Sequence, residues 1–575
     1  MGGVSPEQAE LELLIELASG GKTFTQVQKD AHRLGLESLD HSNPSRGITE
    51  RLRQLTGVSK ESLSFFPVKC NPDSATEVGG ECMRHPFVLI STIVEKVLQN
   101  DEYYFEVEIA PQADGIVASS FTRSPEYLGH PLVQECSVRG ETVVPISLYS
   151  DGVKVCCDSH PDTLYGIYAN FIHGDADECT KKANKHVVTV YRKSDVCDET
   201  LTDIWNIILW DLKALAVGCK PRLGEEVKPL EEQVPDEPLG GMWGVWHKVC
   251  LMQIRGDWAW YCEALGAWQW NCKSYMCPFC RARRDGRLTW KNFSLQAPWL
   301  ATCRTHRLFL RDMERSRRSG FRRGPSPFAF ESRILQAPFF AWTMIKLDWM
   351  HAVDIGVLVY VLGEVWWSLL LHLGSHVGGR NLLKKRLGGV RALKARIKKY
   401  YADHHVNSRI PLRRFKLTKI KSGRTGPKLK VKAAQARKLL PLTMQLVAEF
   451  RNVDGALGEN RFQCVRHLCQ IYELSNQREL SDADLTNWRQ LASTFMYFYV
   501  SCGFRVYPKH HYFFHFPEQI ARTGVPRDFW TYSDESKNFQ LKRIFEVCGG
   551  RASSCQQVLL HLEWLFRLEH LLEDV

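Results

Sequence analysis

Several features common in chains of this size are missing here. There is no glycine-rich phosphate loop to suggest ATP use, and no serine or cysteine sits in a nucleophile setting. No secretory leader precedes the nineteen cysteines, whose odd number and scattered spacing fit no disulfide framework. Reduced thiols in a cytosolic or nuclear protein are therefore expected. Long apolar runs are also scarce. Only Gly356 to Gly374 approaches membrane-spanning length, and it carries Glu364 at its middle and His372 near its end. A buried core helix is expected there, with no membrane association. Acids are almost absent from one stretch: between Lys384 and Lys438 a single one, Asp403, faces twenty Lys/Arg. That stretch carries +19, and the rest of the chain the balance of −8 that brings the total to +11. Such a local excess points to a polyanionic partner, most often nucleic acid.

At 575 residues the chain is long enough for two to four domains, and its apolar and aromatic content is that of a folded protein. Residues 1–60 read as a helical N-terminal segment, with one helix opening at Ser5-Pro6 and another near Thr25 to Leu34. Residues 61–144 read as a lead-in α+β region, with a helix over Pro86 to Asn100 and a strand over Tyr103 to Ile109. Three strands follow: Ile146 to Val155, Thr163 to Ile172 and His186 to Arg192, each rich in β-branched and aromatic residues. A helix over Leu201 to Val217 has apolar residues at helical spacing. An acidic linker, Glu225 to Pro238, leads to a fourth strand, Trp246 to Arg255, ending at Gly256-Asp257.

Asp151 stands inside the first strand among Ile146, Leu148, Tyr149, Val153 and Val155, where an acid is out of place unless it binds something. Gly152 beside it would leave the backbone open to a ligand. Three strands, a helix and a strand ending in an acid is the order of the ribonuclease H-like fold, whose first and fourth strands lie side by side. The expected fold class is α/β, a ribonuclease H-like catalytic core (145–260) interrupted by a zinc-bearing, mostly α-helical insertion. Asp151 and Asp257 would then face each other and need divalent cations between them. Mg²⁺ takes oxygen ligands, and two ions can activate the attacking oxygen and steady the leaving one in phosphodiester cleavage.

Two further constellations suit metals. Cys277-x-x-Cys280 and Cys303-x-x-His306 have the pair spacing of a zinc knuckle (261–310), with Cys272 as a substitute ligand. Asp348-x-x-His351, with His511 and His515 at i, i+4, could form a second metal clamp. The helical, basic insertion (311–505) includes Lys384, Lys385, Arg386, Arg391, Lys394, Lys398, Lys399, Arg413 and Arg414 as phosphate-contacting candidates. An arginine cluster over Arg311 to Arg323 could extend that surface. Residues 506–575 are expected to carry a catalytic-acid helix and C-terminal helices.

Tyr149-Ser-Asp-Gly152, Arg255-Gly-Asp-Trp258 ahead of Cys277-Pro-Phe-Cys280, and Leu347-Asp-Trp-Met-His-Ala352 come in the order found in the transposases of CACTA (EnSpm) elements. The chain resembles these and their fungal Plavaka/KDZ-type relatives over roughly residues 145–545. The resemblance implies a cut-and-paste DDE enzyme in which Asp151, Asp257 and Glu535 bind two Mg²⁺ or Mn²⁺ ions. Asp348 is the rival for Asp257, and Asp534 for Glu535. It further implies DNA (element ends and target) as partner, a homo-oligomer, and a nuclear location. The stretch at Asp257 departs from the Asp-Phe-Pro-like sequence of the plant elements, and their long DNA-recognition regions are not evident. Two alternatives stay open: a catalytically inactive, zinc-containing DNA-binding derivative, and a ribonuclease H-like nuclease without strand transfer.

Overall fold

Runs of valine, isoleucine and aromatic residues in the first half of the chain build one central sheet, and helices cover it. The computed structural model describes residues 5–39, 43–71, 82–98, 121–157, 160–172, 185–221, 235–238, 247–267, 275–319, 326–327, 332–378, 380–421, 426–549 and 554–573. Over these residues the protein is mixed α/β and mostly helical. A hairpin of β1 (Ser64–Lys69) and β2 (Cys82–Phe87) precedes the main sheet. The main sheet contains β3 (Thr142–Cys157), β4 (His160–Phe171), β5 (Lys185–Arg192) and β8 (His247–Gly256), in the order β5-β4-β3-β8. The short pair β6 (Cys219–Pro221) and β7 (Pro235–Pro238) lies apart from it.

The two strand connections differ in kind. β4 runs antiparallel to both β3 and β5, whereas β8 runs parallel to β3. Parallel neighbours require a crossover. The helix Thr200–Ala216 lies in that crossover and packs on β8 with Ile204, Ile208 and Leu212 buried. Beyond β8 the sheet gains one more parallel contact, a single bridge between Ile254 and Ile345, with the Lys346 amide donating to the Ile254 carbonyl at 3.0 Å. Residues 342–348 are thereby brought to the sheet edge.

The expected strands and crossover helix form within a few residues of their predicted limits. The expected strand Tyr103 to Ile109 lies outside the described residues. Most of the acidic linker does too, although its last residues form β7. The N-terminal helices are not a separate unit. Pro6–Ala18 packs along the C-terminal helix Ser554–Glu573, and Leu14 and Leu17 belong to the same buried apolar cluster as the sheet. That C-terminal helix also covers β5, all eight of whose residues are buried.

The long apolar run is the helix Met350–Leu373, the only one among the described residues long and apolar enough to cross a membrane. It is mostly buried and begins with a π-helical stretch, Met350–Leu358, before tightening into the α-helix Val359–Leu373. It packs against the basic helix Leu382–Asp403 through glycines. A methyl group on Gly389 would run into the Leu370 carbonyl, and one on Gly374 into the Lys385 carbonyl. Backbone atoms cannot yield as a flexible side chain can. Gly389→Ala should therefore cost about 1–3 kcal/mol in urea unfolding. Gly378→Ala, which meets open space, should stay within about 0.5 kcal/mol. Equal stability of the two variants would show that these helices can separate freely.

Candidate active site and metal centre

The ladder between β3 and β8 ends at the pair Ser150 and Gly256, so Asp151 and Asp257 are the next residue on each strand at the same end. Side chains alternate along a strand, which puts Tyr149 and Asp151 on one face. The helix Tyr532–Val547 packs against β3. Tyr149 Oη donates to Glu535 Oε1 at 3.4 Å and accepts from Asn538 Nδ2 at 3.2 Å. Glu535 thus meets Asp151 from nearly the other end of the sequence. Asp534, the rival acid, turns away: it is buried, accepts from Asn170 Nδ2 at 3.1 Å and lies 3.8 Å from Lys185 Nζ.

A histidine completes this group. His351 Nε2 is 3.3 Å from Glu535 Oε1 and 3.9 Å from Asp151 Oδ2, and the three residues each offer a ligand atom within 4.8 Å of the others. Its Nδ1 donates to Asp348 Oδ2 at 2.6 Å. Asp348 is buried and accepts four more bonds: Thr531 Oγ1 at 2.8 Å and the amides of His351, Thr531 and Met350 at 2.9, 3.1 and 3.2 Å. With so many donors fixed on it, Asp348 orients the imidazole; it is not the second acid of the cluster.

The charges are strongly coupled. Burial, then the hydrogen bond with Glu535, then the charge of Asp257 push the Asp151 carboxyl up to about 8. Burial alone would raise Glu535 as well, but hydrogen bonds with His351 and Asp151 outweigh it and hold that carboxyl low. Burial opposes a charged His351, yet Asp348 and Glu535 raise it well above the usual imidazole range. Crowded carboxylates that cannot all ionise are what a divalent cation relieves.

Asp257 sits one step outside the tight group. Its Oδ1 accepts from the Trp260 amide at 2.6 Å, capping the helix Trp258–Ala264. It borders a cleft of about 720 Å³ together with Asp348, His351 and Lys509. Lys509 Nζ donates to the His351 carbonyl at 2.7 Å, and burial lowers its ammonium to about 8.

Two residues beyond Lys509 the chain enters a second, fully buried cluster of Cys277, Cys280, His511 and His515. Cys277 Sγ is 3.2 Å from His515 Nε2, Cys280 Sγ is 3.3 Å from His511 Nε2, and the two Nε2 atoms are 3.3 Å apart. His511 Nδ1 donates to the Trp290 carbonyl at 3.1 Å, which leaves Nε2 free to ligate. Amides of Phe279 and Ala282 donate to the two sulfurs at 3.3 Å each. Two cysteines and two histidines so placed have the composition of a tetrahedral zinc set.

These placements correct three expectations. His306 does not join Cys277 and Cys280: its Nδ1 accepts from the Trp342 amide at 3.1 Å. Cys303 stays close, 3.8 Å from His515 Nδ1, outside the four-residue group, and Cys272 lies outside the described residues. The clamp of Asp348, His351, His511 and His515 is divided, the first pair going to the carboxylates and the second to the cysteines. Gly152 faces no ligand, because Thr163 and Tyr165 fill the space a side chain would take.

Lys384, Arg391, Lys398, Lys399, Arg413 and Arg414 are exposed on and just after the basic helix, with Lys385 and Lys394 partly so. Arg386 is taken up internally, donating to the Trp367 carbonyl at 3.0 Å with its guanidinium over that ring. Tyr149, Thr531 and Lys509 belong to the site without having been expected there from the sequence. Only Tyr149 leaves a trace, two residues before Asp151 on a strand. In comparisons with known proteins, no family model and no curated protein matches the chain.

Metal analysis of the purified chain should find one zinc retained in His306→Ala and lost in Cys280→Ser or His511→Ala, with thermal stability falling alongside. Zinc lost from His306→Ala as well would place the ligands elsewhere. A second expectation concerns pH. Asp151 keeps its proton in the fold up to about 8, whereas an unfolded aspartate releases it near 3.9. In protein freed of Mg²⁺ and Mn²⁺, its contribution to stability therefore falls as pH rises from about 4 to about 8. Asp151→Asn should flatten that part of the melting-temperature profile, and an unchanged slope would remove Asp151 as its source.

Proposed function

We propose that this chain is a metal-dependent DDE enzyme with a ribonuclease H-like core: a cut-and-paste DNA transposase or a domesticated descendant of one. The observation that carries the proposal is the convergence of Asp151 and Glu535. Tyr149 and Glu535 stand 386 residues apart in sequence and within hydrogen-bond reach in the fold. The strand order, with its first and fourth strands parallel neighbours whose ladder stops one residue before Asp151 and Asp257, supports the same reading. So does the resemblance to CACTA and Plavaka/KDZ-type transposases.

In this reading Asp151, Asp257 and Glu535 hold two divalent cations. Those ions, when bound, supply the charge that activates an attacking oxygen and steadies the leaving one. The chain's own residues do the rest. Tyr149 and Asn538 fix Glu535 against the sheet, and Asp257, held by the Trp260 amide, fixes the far side of the cleft. The exposed lysines and arginines of 384–414 bind phosphates without reading sequence, which suits a scaffold that must hold a long duplex. Water would cleave a phosphodiester at an element end, and the freed 3′-hydroxyl would attack target DNA. The zinc cluster closes the start of the helical insertion and locks the segment that carries Lys509.

The test is nicking of plasmid DNA with Mn²⁺ or Mg²⁺. Asp151→Asn, Asp257→Asn and Glu535→Gln should each lower the rate by about 10³-fold or more, the loss expected when several kcal/mol of charge stabilisation goes. A pre-cut 3′-hydroxyl end offered with target DNA should give joined products. Cleavage without joining would identify a nuclease, and DNA binding without either would identify a non-catalytic derivative. Binding itself should weaken steeply with salt. Neutralising Arg391 or Lys398 should make the logarithmic slope shallower by about one for each phosphate that the side chain had paired.

A further inference from the structure

The proposed chemistry leaves one donor of the carboxylate cluster unassigned. His351 lies in the π-helical stretch that begins the apolar helix, and such stretches recur at functional sites because they re-aim one side chain. Its ring is held from behind. With Nδ1 donating to Asp348 at 2.6 Å, the other nitrogen faces Glu535 at 3.3 Å and Asp151 at 3.9 Å. Asp348 is itself pinned by four further donors from Met350, His351 and Thr531.

We infer that His351 Nε2 is a direct ligand of the cation shared by Asp151 and Glu535, with Asp348 as the positioning residue that fixes its tautomer. This inference rests on the carboxylate-centre reading above. Two ligand atoms about 2.1 Å from one octahedral ion stand about 3 Å apart when adjacent and about 4 Å when opposite. Both His351 separations fall in that interval. The carboxylate–imidazole–cation arrangement is how ligating histidines are commonly supported.

The donor set decides the metal. Mg²⁺ is a hard ion that takes oxygen, whereas Mn²⁺ and later metals accept imidazole. A centre of two carboxylates and one imidazole therefore selects Mn²⁺ over Mg²⁺ more strongly than three carboxylates would. In His351→Asp, whose donors are all oxygen, the selection shifts back toward Mg²⁺.

The experiment uses the full chain with its Cys₂His₂ cluster filled with zinc, so that His511 and His515 are occupied, and Mn²⁺ as probe. Pulsed electron paramagnetic resonance of the bound Mn²⁺ should show nitrogen modulation that changes when histidine is labelled with ¹⁵N. His351→Gln should lose that modulation and weaken Mn²⁺ binding by about 10-fold or more, with zinc content unchanged. Asp348→Asn should weaken binding by about 10–100-fold, as loss of a supporting carboxylate does. Bound Mn²⁺ without nitrogen modulation in the wild-type chain would overturn the inference while leaving the carboxylate centre intact. Modulation that persists in His351→Gln would also overturn it. Failure of the wild-type chain to bind Mn²⁺ more tightly than Asp151→Asn would remove the carboxylate centre itself, and the inference with it.

Discussion

Like charges drawn out of water and set against each other dominate this structure. Asp151 and Glu535 are brought together by a sheet and a helix with nothing covalent between them, and Asp257 adds its field from the adjoining strand. A fold keeps such an arrangement only if the surrounding interactions outweigh the repulsion or a cation relieves it. Here both devices are visible. Tyr149, Asn538 and the Asp534–Asn170 bond hold the helix Tyr532–Val547 onto the sheet, and the imidazole of His351 stands where positive charge is wanted.

The rest of the molecule reads as support for that meeting. Closing a loop of some 280 residues between Asp257 and Glu535 costs only slightly more entropy than closing a short one, because the cost grows with the logarithm of length. What a long insertion needs is internal order, and this one has it. The Cys₂His₂ cluster ties residues 277–280 to 511–515. The close glycine packing ties the apolar helix to the basic one. The Lys509 bond to the His351 carbonyl joins the segment that carries His511 and His515 to the acid site in one step.

Much of this is legible in the residues, for identifiable reasons. Strand periodicity and β-branched composition locate β3, β4, β5 and β8, because side chains on a buried sheet leave few choices. Asp151 stands out because an acid inside such a strand is costly. The partners of Cys277 and Cys280 are harder. Cys303-x-x-His306 has the right local spacing and lies near Cys277-x-x-Cys280, whereas His511 and His515 are over 200 residues away, and only the tertiary fold decides between them. His351 and Asp348 stand out as a pair but not with their true neighbours, since helical spacing shows which side chains share a face and not what that face meets. Thr531 and Lys509 carry no sequence signal for their roles at all. Gly152 misleads for a related reason: a glycine beside an acid looks like room for a ligand, and here it is room for Tyr165 on the adjacent strand.

The order of the acids along the chain has a consequence for how the protein is made. Domains fold roughly as they leave the ribosome, and the amino end emerges first. The sheet that carries Asp151 and Asp257 can form while translation continues, but Glu535 and the helix that seats it arrive only after some five hundred residues have been synthesised. The nascent chain therefore spends most of its synthesis with Asp151 lacking its distant carboxylate neighbour, and an interrupted product ending before residue 531 would never bring the two acids together.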